Sequence, residues 1–255
     1  MGERSRVRTW LRRIWVVGGI SFTAWLAWNL QSRGVAASIT ESTDAVTVVE
    51  EAVATYFTPQ RRADRDPVVV FVPGGLVDPR AYLPIVRRLA DEGTAAALVE
   101  MPFRAALSES QREQLWQRIR DAHRRLGAAA PMVLAGHSRG AAMAARFAAE
   151  HPAELAGLVL VGTTHPRDQD LSGAPYLVLK VAGTQDCVAP LDDARANAAK
   201  LPPATEWVVI DGANHAQFGY YGSQINDCRA HVSRETQQRQ LLDGMSAFVA
   251  RVRDR

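Results

Sequence analysis

The sequence predicts an α/β protein built on a mainly parallel sheet. Short apolar runs alternate with segments of helical spacing from residue 68 to the C-terminus. Several of these runs, such as Val68–Val72, are apolar at every position, as expected for parallel strands that are buried on both faces. The length of 255 residues suits one sizeable domain with a short appendage.

The individual elements follow from these patterns in chain order. β-branched residues at 45–57 predict one or two opening strands, and Ser108 with Gln111 predicts a capping box at the start of a long helix. Further apolar runs predict strands at 68–72, 95–99, 132–135, 155–161, 176–181 and 207–210. Helical spacing predicts helices at 80–90, 108–126, 139–150, 191–200 and 235–252.

An uncharged, mostly apolar stretch at 14–30 follows five arginines near the N-terminus. Its length reaches the lower limit for a membrane span, and tryptophans lie toward both of its ends. We therefore expect a basic cytoplasmic tip at 1–13, a signal anchor or transmembrane helix at 14–30, a linker at 31–44 and the folded domain at 45–255. This organisation predicts a single-pass protein of the cell membrane whose folded domain lies on the exported side.

Two alternatives to the anchor remain open. Small residues at 35–37 offer a cleavage site for a signal peptide, which would give a secreted protein. The stretch could also be a buried apolar helix.

The net charge of +3 does not indicate a nucleic-acid-binding protein. Residues 1–33 contain six arginines and one glutamate, so they carry +5 and leave −2 for the rest of the chain. The positive charge therefore belongs to the N-terminal tip, and the folded domain lacks the basic face that a phosphate backbone requires.

The segment from Gly136 to Gly140 reads GHSRG and lies between a predicted strand and a predicted helix. This G-x-S-x-G pattern is typical of a sharp strand-to-helix turn that exposes a serine hydroxyl, here that of Ser138, at a helix N-terminus. The flanking glycines are expected because side chains there would collide with neighbouring backbone. Ser138 is therefore the candidate nucleophile.

A serine nucleophile needs a general base, because its hydroxyl is not ionised near neutral pH. With this turn, the catalytic residues follow the chain order nucleophile, acid, histidine. Two histidines then remain as candidates for the base: His215, directly after the last predicted strand, and His231, in a polar stretch. We predict His215 as the base. Asp186 follows the strand at 176–181 and is the predicted acid that orients the base, whereas Asp192 and Asp193 resemble the capping start of the next helix.

An oxyanion formed by attack on a carbonyl needs two backbone N–H donors. We predict the N–H of Arg139, directly after the nucleophile, and that of Gly75 in the first strand-to-helix loop, with Leu76 as the next choice. The two cysteines, Cys187 and Cys228, fall in predicted loops and are either paired in a disulfide or free.

Together, the runs FVPGGLVDPRAY, GHSRG, GTQD and GANHAQFGYYG resemble the α/β-hydrolase superfamily. More narrowly, they are similar to its small lid-less members, grouped with dienelactone-hydrolase-like proteins but with a serine in place of the cysteine nucleophile. The resemblance covers roughly 67–250. It implies an α/β-hydrolase fold, serine-type hydrolysis of a small ester, and no metal or organic cofactor.

The connection between the strands at 155–161 and 176–181 is too short for an inserted lid domain, which predicts an open active site. The leading functional hypothesis is thus a serine esterase that uses Ser138, His215 and Asp186. An acyltransferase of the cell envelope or a peptidase with the same three residues, and a non-catalytic binding protein on this fold, are the alternatives.

Overall fold

A computed structural model describes residues 2–255. It contains eight strands, β1 to β8, at Val46–Glu50, Ala54–Pro59, Val68–Val72, Ala96–Val99, Met132–His137, Gly157–Val161, Leu177–Gly183 and Glu206–Ile210. It contains six α-helices, α1 to α6, at Gly2–Asn29, Leu83–Asp91, Glu109–Gly127, Arg139–Glu150, Leu191–Ala196 and Arg234–Arg253. Short 3-10 turns occupy Ala37–Thr40, Pro79–Tyr82, Pro102–Arg104, Pro152–Glu154, Ala198–Lys200 and Ala216–Phe218.

All eight strands form one sheet in the order β1-β2-β4-β3-β5-β6-β7-β8. The pairs β1–β2 and β2–β4 are antiparallel, and every other pair is parallel. The prediction of a mainly parallel sheet is therefore confirmed. Residues 162–176 alone join β6 to β7, so this connection contains no lid domain, as its length predicts.

Helices cover the sheet on both faces, which explains why its central strands are apolar throughout. Along β3, Val68, Val70 and Val72 pack in a core with α3 and α4, whereas Val69 and Phe71 pack in a second core with α2 and α6. The alternation of side chains along a strand thus sends every residue of β3 into an apolar environment. The carboxyl ends of the parallel strands share one edge of the sheet, where the candidate site residues lie.

The N-terminal helix differs from the expectation. Among residues 2–255, no helix is long and apolar enough to cross a membrane. The predicted transmembrane helix or signal anchor at 14–30 is therefore wrong, and so are the membrane contact through it and the single-pass location at the cell membrane. The absence of charge in this stretch was a misleading criterion, because Gly18, Gly19, Ser21 and Thr23 lower its apolar character.

Instead, α1 joins the arginine-rich tip and the apolar stretch in one helix, and its side chains from residue 6 onward are largely exposed. Where α1 ends, the chain contacts the surface of the folded domain. Asn29 is buried, the N–H of Arg33 donates to the carbonyl of Tyr220 at 2.7 Å, and Ser32 bridges to Tyr221. This contact places Arg33 beside the loops that follow β8.

Candidate active site

Ser138 occupies a strained turn between β5 and α4. Its backbone has φ 52° and ψ −116°, a region that non-glycine residues rarely adopt. A Cβ on Gly140 would lie 2.2 Å from the carbonyl oxygen of Val72, and a Cβ on Gly136 would lie 2.5 Å from the carbonyl carbon of Gly140. Both glycines are thus required by close backbone approach, which is the steric reason that the sequence pattern suggested.

Asp186 and His215 meet in the protein interior, at the ends of β7 and β8. The Nδ1 atom of His215 lies 2.9 Å from Oδ2 of Asp186, and neither side chain is exposed. The second carboxylate oxygen of Asp186 accepts hydrogen bonds from the N–H groups of Val188 at 3.0 Å and Ala189 at 2.7 Å. Because an ionised carboxylate only accepts, Nδ1 of His215 carries the proton and Nε2 holds a free lone pair.

Ser138 and His215 line the same open cleft, which has a volume of about 250 Å³. The Nε2 atom of His215 is buried and makes no hydrogen bond with the described residues. Ser138 and Nε2 are therefore not hydrogen-bonded in this structure. Arg139, His165 and Arg167 add polar groups to the cleft wall, and no carboxylate lines it.

Two backbone donors are available beside Ser138. Arg139 is the first residue of α4, so its N–H has no partner within the helix. The N–H of Leu76 donates to the carbonyl of Arg104 at 2.7 Å and is already used, whereas the N–H of Gly75 makes no hydrogen bond with the described residues. A Cβ on Gly75 would lie 3.0 Å from the Cβ of Arg139, which places the two predicted donors side by side.

The alternatives to the predicted base and acid lie elsewhere. Asp192 and Asp193 are in the first turn of α5, as the capping interpretation expected. His231 is exposed and is absent from the wall of the cleft that contains Ser138. Among the side chains of residues 6–255, no group of three or more His, Cys, Asp or Glu is arranged to hold a metal ion.

Comparison with known proteins identifies the family. The sequence profile of the family described as "Alpha/beta hydrolase family" matches residues 68–239, which is more than half of the chain. The chain belongs to the alpha/beta hydrolase family. This match confirms the resemblance drawn from the sequence motifs. A comparison with curated proteins found no sequence that matches that of this hydrolase.

Solved structures show the same fold at low sequence identity. A dienelactone hydrolase-like promiscuous phosphotriesterase from metagenomic libraries has a TM-score of 0.61 and 17% identity, over 82% of this hydrolase and 99% of that chain. Est1E from Butyrivibrio proteoclasticus has a TM-score of 0.57 and 14% identity, over 81% and 100% of the two chains. An alpha-beta serine hydrolase homologue from Coxiella burnetii has a TM-score of 0.51 and 16% identity, over 82% and 97%.

Asp227 supports the loop of His215, and sequence reasoning did not find it. One carboxylate oxygen accepts from the N–H of His215 at 3.2 Å and from that of Cys228 at 2.9 Å, and the other accepts from the N–H of Ala216 at 2.8 Å. Burial raises the pKa of Asp227, and the N–H groups of Ala216 and His215 oppose the increase. The only sequence signal was its position one residue before a cysteine, which does not indicate a contact with His215.

His137 forms the second support that the sequence did not reveal. Its ring centroid lies 4.5 Å from that of His215, and its Nδ1 lies 2.9 Å from the hydroxyl oxygen of Tyr82. Burial lowers the pKa of His137 well below its usual value, and the adjacent imidazole of His215 adds to this effect because a positive charge on both rings would be repulsive. A neutral ring therefore packs against the imidazole of His215.

The two cysteines form a disulfide between the loop that carries Asp186 and the loop that follows His215. Cys187 and Cys228 are bonded, with their Cα atoms 5.3 Å apart. The bridge connects the residue after Asp186 with the residue after Asp227. It thus fixes the two carboxylates that contact His215 relative to each other, and of the two states left open by the sequence, the paired one is confirmed.

Proposed function

We propose that this hydrolase is a serine esterase that cleaves small carboxylic esters through an acyl-enzyme on Ser138. The observation that carries the proposal is the state of His215. Its Nδ1 is bound to a buried carboxylate at 2.9 Å, while its Nε2 is unpartnered in the wall of the cleft that Ser138 also lines. A neutral imidazole in this state is prepared to accept a proton from the serine hydroxyl.

The reaction proceeds in two halves. Oγ of Ser138 attacks the ester carbonyl while Nε2 of His215 takes the hydroxyl proton, and Asp186 stabilises the imidazolium that forms. The N–H groups of Gly75 and Arg139 bind the negative oxygen of the tetrahedral intermediate. Its collapse expels the alcohol with the proton from His215. Water then attacks the acyl-enzyme by the same route and releases the acid.

The dimensions of the cleft indicate the substrate class. At about 250 Å³ the cleft accommodates a short acyl group and does not enclose a long chain. The connection between β6 and β7 adds no lid over it, so binding requires no interfacial opening step. The polar groups of Arg139, His165 and Arg167 favour an acyl group with polar or negatively charged substituents over a plain alkyl chain.

Steady-state hydrolysis of p-nitrophenyl esters of increasing acyl length tests this proposal. We expect kcat/KM to be highest for acetate or butyrate, to fall for decanoate, and to show no jump when the substrate exceeds its solubility limit. Ser138→Ala should reduce kcat by about 10⁶-fold. A preference for decanoate with activation at a lipid surface would contradict the substrate class, and unchanged activity in Ser138→Ala would contradict the mechanism. Product analysis with added glycerol distinguishes hydrolysis from acyl transfer.

A further inference from the structure

A second, larger cleft lies beside the loop of His215 and is separate from the catalytic cleft. It has a volume of about 710 Å³ and shares no lining residue with the cleft of Ser138. Its wall includes Asn214 and Ala216, the two neighbours of His215 in the chain, and it is completed by Arg33 from the segment that follows α1. The volume is within the range of sites that bind small molecules.

Three arginines line this cleft without acidic partners. Arg33, Arg229 and Arg234 belong to its wall, and none of them has a carboxylate within salt-bridge distance in the described part of the chain. The single acid in the wall is Asp227, whose two oxygens already accept N–H groups from the backbone around His215. The cleft therefore has an excess of two positive charges.

Two of the guanidinium groups are held in place by uncharged groups. Arg234 donates to the carbonyl oxygen of Tyr221 at 2.8 Å and lies over the ring of Tyr220 at 5.5 Å. Arg33 donates to the carbonyl oxygen of Trp28 at 2.9 Å and lies over the ring of Trp28 at 5.2 Å. Carbonyl groups and aromatic rings fix an arginine without neutralising it, so both side chains keep their full charge for a ligand.

Keeping these positive charges close together is unfavourable without a counter-ion. Burial lowers the pKa of Arg234; Tyr220, Glu235 and Tyr221 oppose this decrease, and the charge of Arg33 adds to it. The Nε–H group of Arg234 is also buried without a hydrogen-bond partner. A bound anion would relieve the repulsion between the guanidinium groups, and this gain would appear as binding free energy.

We propose that the cleft lined by Arg33, Arg229 and Arg234 is a binding site for a phosphoryl group. A phosphoryl group carries between one and two negative charges at neutral pH and offers three oxygens, which matches an excess of two positive charges from three guanidinium groups. A single carboxylate would leave one positive charge unbalanced. The phosphoryl group is either free phosphate or the charged end of a larger molecule whose body fills the remaining volume.

Isothermal titration of the full-length protein with inorganic phosphate and with glycerol 3-phosphate, at neutral pH and constant ionic strength, tests this proposal. We expect saturable binding of one anion per chain. Arg229→Gln and Arg33→Gln should each weaken it by at least about tenfold, because each removes a charge-assisted hydrogen bond. Arg229 is exposed and makes no hydrogen bond in the described structure, so its variant should fold normally. Tighter binding of glycerol 3-phosphate would identify a larger phosphorylated ligand, and equal binding would identify free phosphate.

Two control variants locate the site. Arg239→Gln removes an exposed arginine of α6 outside the cleft and should leave binding unchanged. Ser138→Ala should also leave it unchanged, which makes the result independent of whether the chain is an esterase. Loss of binding in Ser138→Ala would place the anion in the catalytic cleft and overturn the proposal. Binding that Arg229→Gln and Arg33→Gln do not weaken, or no binding at tens of millimolar anion, would overturn it as well.

Discussion

Replacing Asp227 by asparagine tests whether the position of His215 depends on this carboxylate. Asp227 accepts three backbone N–H groups, and two of them belong to His215 and Ala216. An asparagine side chain has one accepting oxygen and one donating amide. Its oxygen can accept either the N–H groups of His215 and Cys228 or the N–H group of Ala216. In both orientations, its NH₂ group faces a backbone N–H donor in place of the second carboxylate oxygen.

The magnitude follows from the bonds that are lost. A hydrogen bond to a charged group contributes roughly 1.5–3 kcal/mol, so losing the bond to Ala216 should reduce the free energy of unfolding by about 2 kcal/mol. The loop that carries His215 would shift, and a displacement of about 1 Å at a catalytic group can lower the rate by about 100-fold. We therefore expect kcat for p-nitrophenyl acetate to fall between about 10-fold and 100-fold, with little change in KM.

Urea denaturation and steady-state kinetics on the same preparation measure both effects. Asp211→Asn is the matched control, because Asp211 is an exposed carboxylate near the same loop that accepts from the hydroxyl of Thr184 and does not contact His215. The control should retain wild-type kcat. Wild-type kcat in Asp227→Asn, together with the expected loss of stability, would refute the view that Asp227 positions the base.

Three further predictions concern stability. Cys187→Ser/Cys228→Ser should lower the unfolding free energy by about 4 kcal/mol in urea denaturation, the chain-entropy value for a sequence separation of 41; unchanged stability would argue against the bridge. Burial lowers the pKa of Lys180 to about 7, so the folded protein loses this proton before the unfolded chain does. The stabilisation that comes from the neutral Lys180 side chain is therefore complete only above the unfolded pKa of about 10.4, and it is lost as the pH falls through 7. The free energy of unfolding of the wild type should accordingly increase relative to that of Lys180→Met by about 2 kcal/mol from about pH 7 to pH 9. Parallel pH profiles of the two proteins would contradict this assignment. Gly140→Ala should lose the near-UV circular dichroism of the native fold, because its Cβ would lie 2.2 Å from the carbonyl oxygen of Val72; a native spectrum would show that the turn can relax.

The elements that the sequence predicted well are those whose signal is local. The helix Arg139–Glu150 and the strand Val68–Val72 have the expected bounds, and Ser108 caps α3 with the predicted capping box. Ser138, Asp186 and His215 could be selected because each directly follows an apolar strand, and parallel strands end at one edge of the sheet. Their proximity is thus a consequence of fold class and chain order.

The features that the sequence did not predict depend on tertiary contacts. The helix expected at 191–200 ends at Ala196, where the amide of Asn197 donates to the carbonyl of Thr164 in a distant loop. Asp227 and His137 are likewise defined by contacts with His215 across the fold. The N-terminal stretch differs from the expectation for another reason: residues 14–30 are uncharged, but their glycines and hydroxyl side chains leave the helix less apolar than a membrane span requires.

The most direct test of the proposed function is mass spectrometry of the full-length protein after incubation with a fluorophosphonate. The activated hydroxyl of Ser138 should give one phosphonyl adduct on that residue. Ser138→Ala should give none, and His215→Ala should react far more slowly, because the base that activates the serine is absent. An adduct that forms at the wild-type rate in His215→Ala, or no adduct on the folded wild-type protein, would contradict the account of Ser138 as a nucleophile activated by His215.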